Sequence, residues 1–254
     1  MRLSLPCLRQ ELHSIQELAF VLKVMDFLKE KVKYMDMDRD EKRAMYLCKN
    51  SYVTLDEIPT WREYSKNLNK VDSSPDNYEK DEILNSKVSL FVGDITTLEI
   101  DSIVNSTNTG LLGGFYTQVD GAIHSAAGGS LLAECLSLNS CPRGEAKFTG
   151  GYQLPARYVI HTAGPFEEES ELLRRCYLNS LDIAKRKGWK TIAFPCISTG
   201  VYAYPKEKAA HVALKTVREF LQKNPCAMDR VIFCLYQQAD VEIYESLMQN
   251  YFPL

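Results

Sequence analysis
The sequence has no long apolar run near its start, no excess of basic charge, no internal repeat or low-complexity tract, and no closely spaced set of metal-ligating residues. Met1, Arg2 and Leu3 are followed by Glu11, Glu17 and Asp26 before any apolar stretch develops, which argues against a secretory signal and a membrane span. A short mitochondrial transit segment stays open, with those acidic residues counting against it. Against 33 Asp and Glu stand 30 Lys and Arg, a net charge of −3, so no general basic surface is available for duplex phosphates. Nucleic acid and membrane are therefore not expected as partners, whereas one small anionic ligand is compatible with this balance. The eight cysteines (Cys7, Cys48, Cys135, Cys141, Cys176, Cys196, Cys226 and Cys234) are scattered and form no CxxC pair. They read as buried thiols of a reducing compartment, with no metal and no cofactor expected. A monomer of the cytoplasm or nucleus is the expectation.

What is present is the composition of a soluble globular chain, 45% hydrophobic and 25% charged, with length enough for a real core. Leu8, Leu12, Ile15, Leu18, Leu22, Met25 and Leu28 recur at helical spacing, which predicts an amphipathic helix over Leu8–Lys33. Lys66 to Lys87 turns polar around Ser73, Ser74, Pro75 and Asp76 and reads as a linker. The organisation expected is a helical extension over 1–65, a linker over 66–86 and a folded domain over 87–254. Within that domain Val88–Val92, Ile100–Asn105, Arg157–His161, Thr191–Phe194 and Arg230–Leu235 read as strands. Glu171–Lys187 and a segment from Pro205 to about Lys223 read as helices. Such alternation predicts an α/β fold of three layers, α/β/α, with a mixed central sheet and a ligand beyond the strand ends.

Four segments join a strand end to a loop rich in glycine or short polar side chains. In Gly93-Asp94-Ile95-Thr96 the acid either accepts from an exocyclic amine or caps the next turn. Val104-Asn105-Ser106-Thr107-Asn108 ends in two amides, which suit ribose hydroxyls or an Asx turn, and Asn105 fits the turn better than Asn108. Leu111 to His124 carries the pair Gly113-Gly114, whose backbone N–H groups could approach a diphosphate. It also carries Asp120 and His124, on one face if a helix has begun there, suited to water activation or to a plain structural pair. Ile197-Ser198-Thr199-Gly200-Val201-Tyr202 is a second loop able to wrap phosphate, and Tyr236 closes a strand with a ring that stacks on a purine or sits half-buried.

In this order the segments resemble the macrodomain family, and within it the MacroD-type ADP-ribosyl hydrolases. The likeness runs from about Tyr52 to the C-terminus, through Leu55-Asp56-Glu57-Ile58-Pro59-Thr60-Trp61, Leu154 to Thr162, Ala193 to Gly200, and Tyr251-Phe252-Pro253. The resemblance implies ADP-ribose as ligand, with Asp94 on the adenine amino group, Ile95 as a nearby backbone donor and Tyr236 stacked on the adenine. It implies Asn108 on the distal ribose, and Gly113, Gly114 and the loop Ser198, Thr199, Gly200, Val201 and Tyr202 around the diphosphate. By the same resemblance Tyr202 is expected over the distal ribose as well. The resemblance implies that Val119 leads into Asp120, which with His124 would orient the hydrolytic water. The activity implied is metal-independent release of mono-ADP-ribose from Asp or Glu side chains of proteins, and deacetylation of O-acetyl-ADP-ribose.

Two departures accompany the likeness. Relatives carry an unbroken glycine run into the Val-Asp-Gly step, whereas Phe115-Tyr116-Thr117-Gln118 intervene here, either closing over the ligand as a lid or bulging outward with Asp120 in register. Ala203 stands where the family often has glycine. No Cys or His lies between Gly113 and Gly121, which sets aside the zinc mechanism of another macrodomain branch. The competing function is a reader that binds ADP-ribose without turnover. An RNA-binding module is disfavoured by the missing basic excess.

Overall fold
A computed structural model of the chain describes residues 26–68, 78–114 and 118–254. Helix α1 covers 26–36 of these; the expected helical residues before 26 lie outside them. There follow α2 (Arg39–Ala44), β1 (Val53–Thr54), α3 (Trp61–Tyr64), α4 (Glu82–Lys87), β2 (Val88–Val92), β3 (Leu98–Glu99) and β4 (Ser102–Thr107). The chain continues through α5 (Val119–Ala127), α6 (Gly129–Ser137), β5 (Ala146–Gly150), β6 (Tyr158–Ala163), α7 (Ser170–Lys187), β7 (Thr191–Phe194), α8 (Lys206–Lys223), β8 (Arg230–Leu235) and α9 (Gln238–Tyr251). No described helix is long and apolar enough to cross a membrane.

The main sheet has the order β2-β8-β7-β4-β6-β5, with every neighbouring pair parallel except β5 against β6. Because side chains alternate along a strand, each strand feeds two cores. Val104, Ile160, Ile192, Val231 and Phe233 join a core closed by α7, α8 and α9. Ile103, Val159, Ala193 and Ile232 face the opposite way, into a core closed by α5, α6 and Tyr34 of α1. The three-layer architecture with a mixed sheet is thus as expected. The strands Val88–Val92, Thr191–Phe194 and Arg230–Leu235 have the expected bounds, and two others are shifted by one or two residues. β5, α6 and α9 are not predicted from the sequence pattern; β5 is short, with three half-buried residues.

The segment before the main sheet is built into the fold. Trp61 is fully buried and its indole N–H donates to the carbonyl of Phe252 at 2.8 Å. β1 pairs in parallel with β3, and Arg43 grips Glu99 through two contacts of 2.8 and 2.7 Å. Lys42, with burial lowering its pKa to about 8, donates to the carbonyls of Pro155 and Ala156. The expected boundaries at 65 and 86 therefore need correction. The described part of the extension shares both cores, and the stretch expected as a linker contains α4, whose N-cap Asp81 accepts from Ile83 and Leu84 and whose Leu84 is buried. The reason is packing that polar composition does not report: one buried leucine and one cap suffice to seat a two-turn helix.

Trp61→Ala removes a large side chain and orphans the Phe252 carbonyl, so stability falls by about 3–5 kcal/mol. Urea denaturation measures this, and a change under about 1 kcal/mol would show that residues 26–68 do not share the cooperative core.

Candidate active site
Parallel pairing places the C-terminal ends of β2, β8, β7, β4 and β6 on one side, and the sheet order sets the order of their loops. Asp94 follows β2, Tyr236 follows β8, Ser198–Tyr202 follow β7, Asn108–Gly114 follow β4 and Phe166 follows β6. With strands about 4.8 Å apart, three steps from β2 to β4 lay out a groove about 14 Å long. At its first end Asp94 is exposed and caps a short 3-10 turn: one carboxylate oxygen accepts from the backbone and hydroxyl of Thr96 at 2.9 and 2.8 Å. Ile95 beneath it is buried, and the Tyr236 ring is 82% exposed, an open aromatic face beside it.

The chemistry of the other end begins in β4. Ile103 packs into the core under α5, and alternation puts Asn105 and Thr107 on that same face. There they meet Asp120, 3% exposed in the first turn of α5. Asn105 donates to one carboxylate oxygen at 2.7 Å and Thr107 to the other at 2.8 Å. His161, the register partner of Asn105 on β6, stands 3.2 Å from the same amide through Nδ1 and 2.9 Å from the Thr149 hydroxyl through Nε2. Burial pushes His161 down to about 3, so it is neutral, accepting from Asn105 and donating to Thr149. α5 does begin by Asp120, and His124 one turn on brings Nε2 to 3.5 Å from the carboxylate. Burial lowers the His124 pKa, against the pull of Asp120 in the other direction.

The loops are shaped by backbone constraint. Gly113 has φ +77, and a Cβ there would lie 3.3 Å from the His124 ring. Asn108 holds this loop, accepting from the Gly110 N–H at 2.9 Å and donating to the Gly113 carbonyl at 3.2 Å. Across the groove Ser198 has φ +65 and its buried hydroxyl has no hydrogen-bond partner among the described residues. A Cβ on Gly164 would fall 2.0 Å from that hydroxyl, so only glycine lets the β6 end approach the β7 loop. Thr199 donates its hydroxyl to the Cys196 carbonyl, Gly200 and Val201 are exposed at the tip, and the Ala203 N–H returns to the Gly200 carbonyl at 2.9 Å.

A family model described as Macro domain matches residues 104–213. The chain is 46% identical over 225 residues to the ADP-ribose glycohydrolase MACROD1 of Mus musculus, which covers 86% of this chain and 68% of that one. The chain belongs to the macro domain family. It is also 49% identical over 231 residues to the ADP-ribose glycohydrolase MACROD2 of Xenopus laevis, covering 88% of this chain but about half of that one, 54%. The crystal structure of the Trypanosoma brucei macrodomain in complex with ADP-ribose matches with a TM-score of 0.72 and 38% identity, over 85% of each chain.

Against this macrodomain frame the residues read from the sequence gather on one side of the sheet, with one reversal. Asn108, not Asn105, makes the Asx turn, while Asn105 lies inside β4 and anchors Asp120. Asp94 caps its turn with one oxygen, which leaves the other side of the carboxylate to the groove. Of the inserted residues, Phe115 to Thr117 lie outside the described part of the structure, and Asp120 keeps its register on β4. Asn105, Thr107, Thr149 and His161 were missed as a group. The usable signal is a polar side chain at an inward position of an otherwise apolar strand. His124, Cys135 and His161 also come within 4.8 Å of one another, a grouping that no sequence spacing suggests. Both nitrogens of His161 are taken by Asn105 and Thr149, and burial pushes the Cys135 thiol up to about 12, so the three are suited to hydrogen bonding.

Two outcomes follow from these macrodomain features. An unfolded histidine protonates near 6.5 whereas His161 stays neutral down to about 3, so below pH 6.5 the unfolded chain binds the extra proton. Stability therefore falls on acidification, by about 2 kcal/mol from this group between pH 7 and pH 5. Urea midpoints against pH should show that slope flattened in His161→Asn; parallel slopes would contradict it. Ala203 has φ +52, so Ala203→Gly relieves strain and raises stability by about 1 kcal/mol, read as a higher melting temperature. A lower one would place the strain elsewhere.

Proposed function
We propose that this chain is a hydrolase that releases mono-ADP-ribose from Asp and Glu side chains of proteins and removes the acetyl group of O-acetyl-ADP-ribose. The observation that carries this reading is the Asp120 carboxylate, held by Asn105 and Thr107 with His124 beside it, at the same end of the groove as Asn108. The relatives named ADP-ribose glycohydrolase and the neighbour in complex with ADP-ribose support the ligand. In this reading, with which the loop order is consistent, adenine lies at Asp94, Ile95 and Tyr236, the diphosphate between Gly113-Gly114 and Ser198–Val201, and the distal ribose by Asn108 and Tyr202.

In this scheme the loop backbones fix the diphosphate, and Asn108 turns the distal ribose so that its anomeric carbon faces Asp120. Water attacks that carbon, the bond to the acyl oxygen breaks, and the electron pair leaves with the carboxylate. The proton of the water passes to Asp120 or to a substrate phosphate. His124, neutral through burial, packs under Gly113 and fixes the outer side of Asp120. The departing carboxylate is a better leaving group than an amide nitrogen, so positioning supplies much of the acceleration.

Release of ADP-ribose from a Glu-mono-ADP-ribosylated protein should fall 100-fold or more in Asp120→Ala, on the order of general-base effects, and markedly in Asn108→Ala. Unchanged release in both would sink the assignment of these residues. A wild-type chain that releases nothing yet gives calorimetric binding of ADP-ribose would instead be a reader.

A further inference from the structure
At the β6 end of the groove stands an arginine that the reaction scheme leaves unused. The Arg143 guanidinium lies on the face of Phe166, 3.6 Å from the ring centroid, and Phe166 meets Tyr202 edge-on with centroids 4.0 Å apart. Phe166 is half-exposed, so this stack forms part of the groove mouth. The Arg143 backbone is clamped from two sides. Arg143 bridges to Ala163 at the end of β6, the Gly144 N–H donates to the Ala163 carbonyl at 2.9 Å, and the Cys141 N–H donates to the carbonyl of Thr109, next to Asn108, at 2.8 Å. The guanidinium is therefore held at the β6 end of the groove, next to Tyr202 through Phe166 and close to Asn108 through the clamp on Thr109.

No hydrogen bond or ion pair engages this guanidinium among the described residues. The neighbouring carboxylates have other duties or none: Glu145 pairs with Arg175, Glu168 pairs with Lys208 at 2.7 Å, and Glu167 and Glu169 are exposed. A guanidinium laid on a ring keeps its N–H groups in its own plane, free to reach sideways to a planar oxyanion. Its charge also reaches the Tyr202 hydroxyl, where it opposes the upward push of burial to which Asp120 adds.

We propose that Arg143, mounted on Phe166 beside Tyr202, binds the acyl group of the scissile ester and so favours an acidic side chain as the ADP-ribose acceptor. This rests on the hydrolase reading above. In the ground state Arg143 donates to the ester carbonyl oxygen. As the bond to the anomeric carbon breaks, both electrons stay with the departing carboxylate, whose growing charge strengthens the contact. A basic acceptor would meet like charge at the same point.

The test compares wild type, Arg143→Gln and Arg143→Lys on a Glu-mono-ADP-ribosylated peptide and on free ADP-ribose. Arg143→Gln should lower kcat/KM for the peptide about 10- to 100-fold, Arg143→Lys should recover part of it, and calorimetric affinity for free ADP-ribose should stay within about twofold. Unchanged kcat/KM overturns the proposal. An equal loss on free ADP-ribose also overturns it, by assigning Arg143 to the diphosphate. Placing Arg143→Gln in an Asp120→Ala background, where the ester survives, and titrating peptide against ADP-ribose reads the contact without turnover. A selective loss of peptide affinity there supports Arg143 even if the wild type releases nothing, the result that would overturn the hydrolase reading alone.

Discussion
A carboxylate 3% exposed at the start of α5 survives only where its charge is met, and in this fold β4 meets it with Asn105 and Thr107. That requirement organises the molecule around it. Asn105 donates one N–H to Asp120 and the other to His161, which burial keeps neutral and which donates its own N–H to Thr149. The chain of contacts spans β4, β6 and β5 beneath one helix. A break anywhere in it leaves a buried polar group unpaired, which costs more than the contact itself contributes.

The groove above this network depends on a different constraint, the uniform direction of five strands. Parallel pairing delivers five loops to one side, and the order β2-β8-β7-β4-β6 sorts loops that are far apart in sequence into one line. Residues 26–68 serve this arrangement from outside. Trp61 closes the core behind β2, Tyr34 packs with α5 and α6, and Lys31 reaches the buried Glu134 at 2.5 Å, which also takes the Tyr152 hydroxyl at 2.6 Å. The N-terminal segment is therefore a buttress of the helix that carries Asp120.

Three of the six non-glycine residues with positive φ among those described, Leu111, Ser198 and Ala203, lie in loops of the groove. Ser198 and Ala203 hold positive φ in the same loop, Gly113 does so opposite, and Gly164 admits the approach of the two sides. Such conformations persist where surrounding contacts over-determine them, here the bonds from Tyr204 to Ser198 and from Ala203 to Gly200. The pattern fits loops whose backbone donors are set before a ligand arrives.

Much of the architecture was legible in the sequence because strands and amphipathic helices are local patterns: α7 and α8 repeat apolar residues every three or four positions, and β2, β7 and β8 are short β-branched runs. The glycine pairs and polar strand ends marked the groove for the same reason. Polar composition hides α4, and Asn105 fits a turn in sequence because a strand-end amide reads alike in both roles. What the sequence by itself determined, then, is the set of elements and the loops that carry polar chemistry, through spacings of a few residues. Only the tertiary structure decided that Asn105, His161 and Thr149 support Asp120 and that Arg143 meets Phe166 and Tyr202, because those partners become neighbours through strand order and register, which no local spacing encodes.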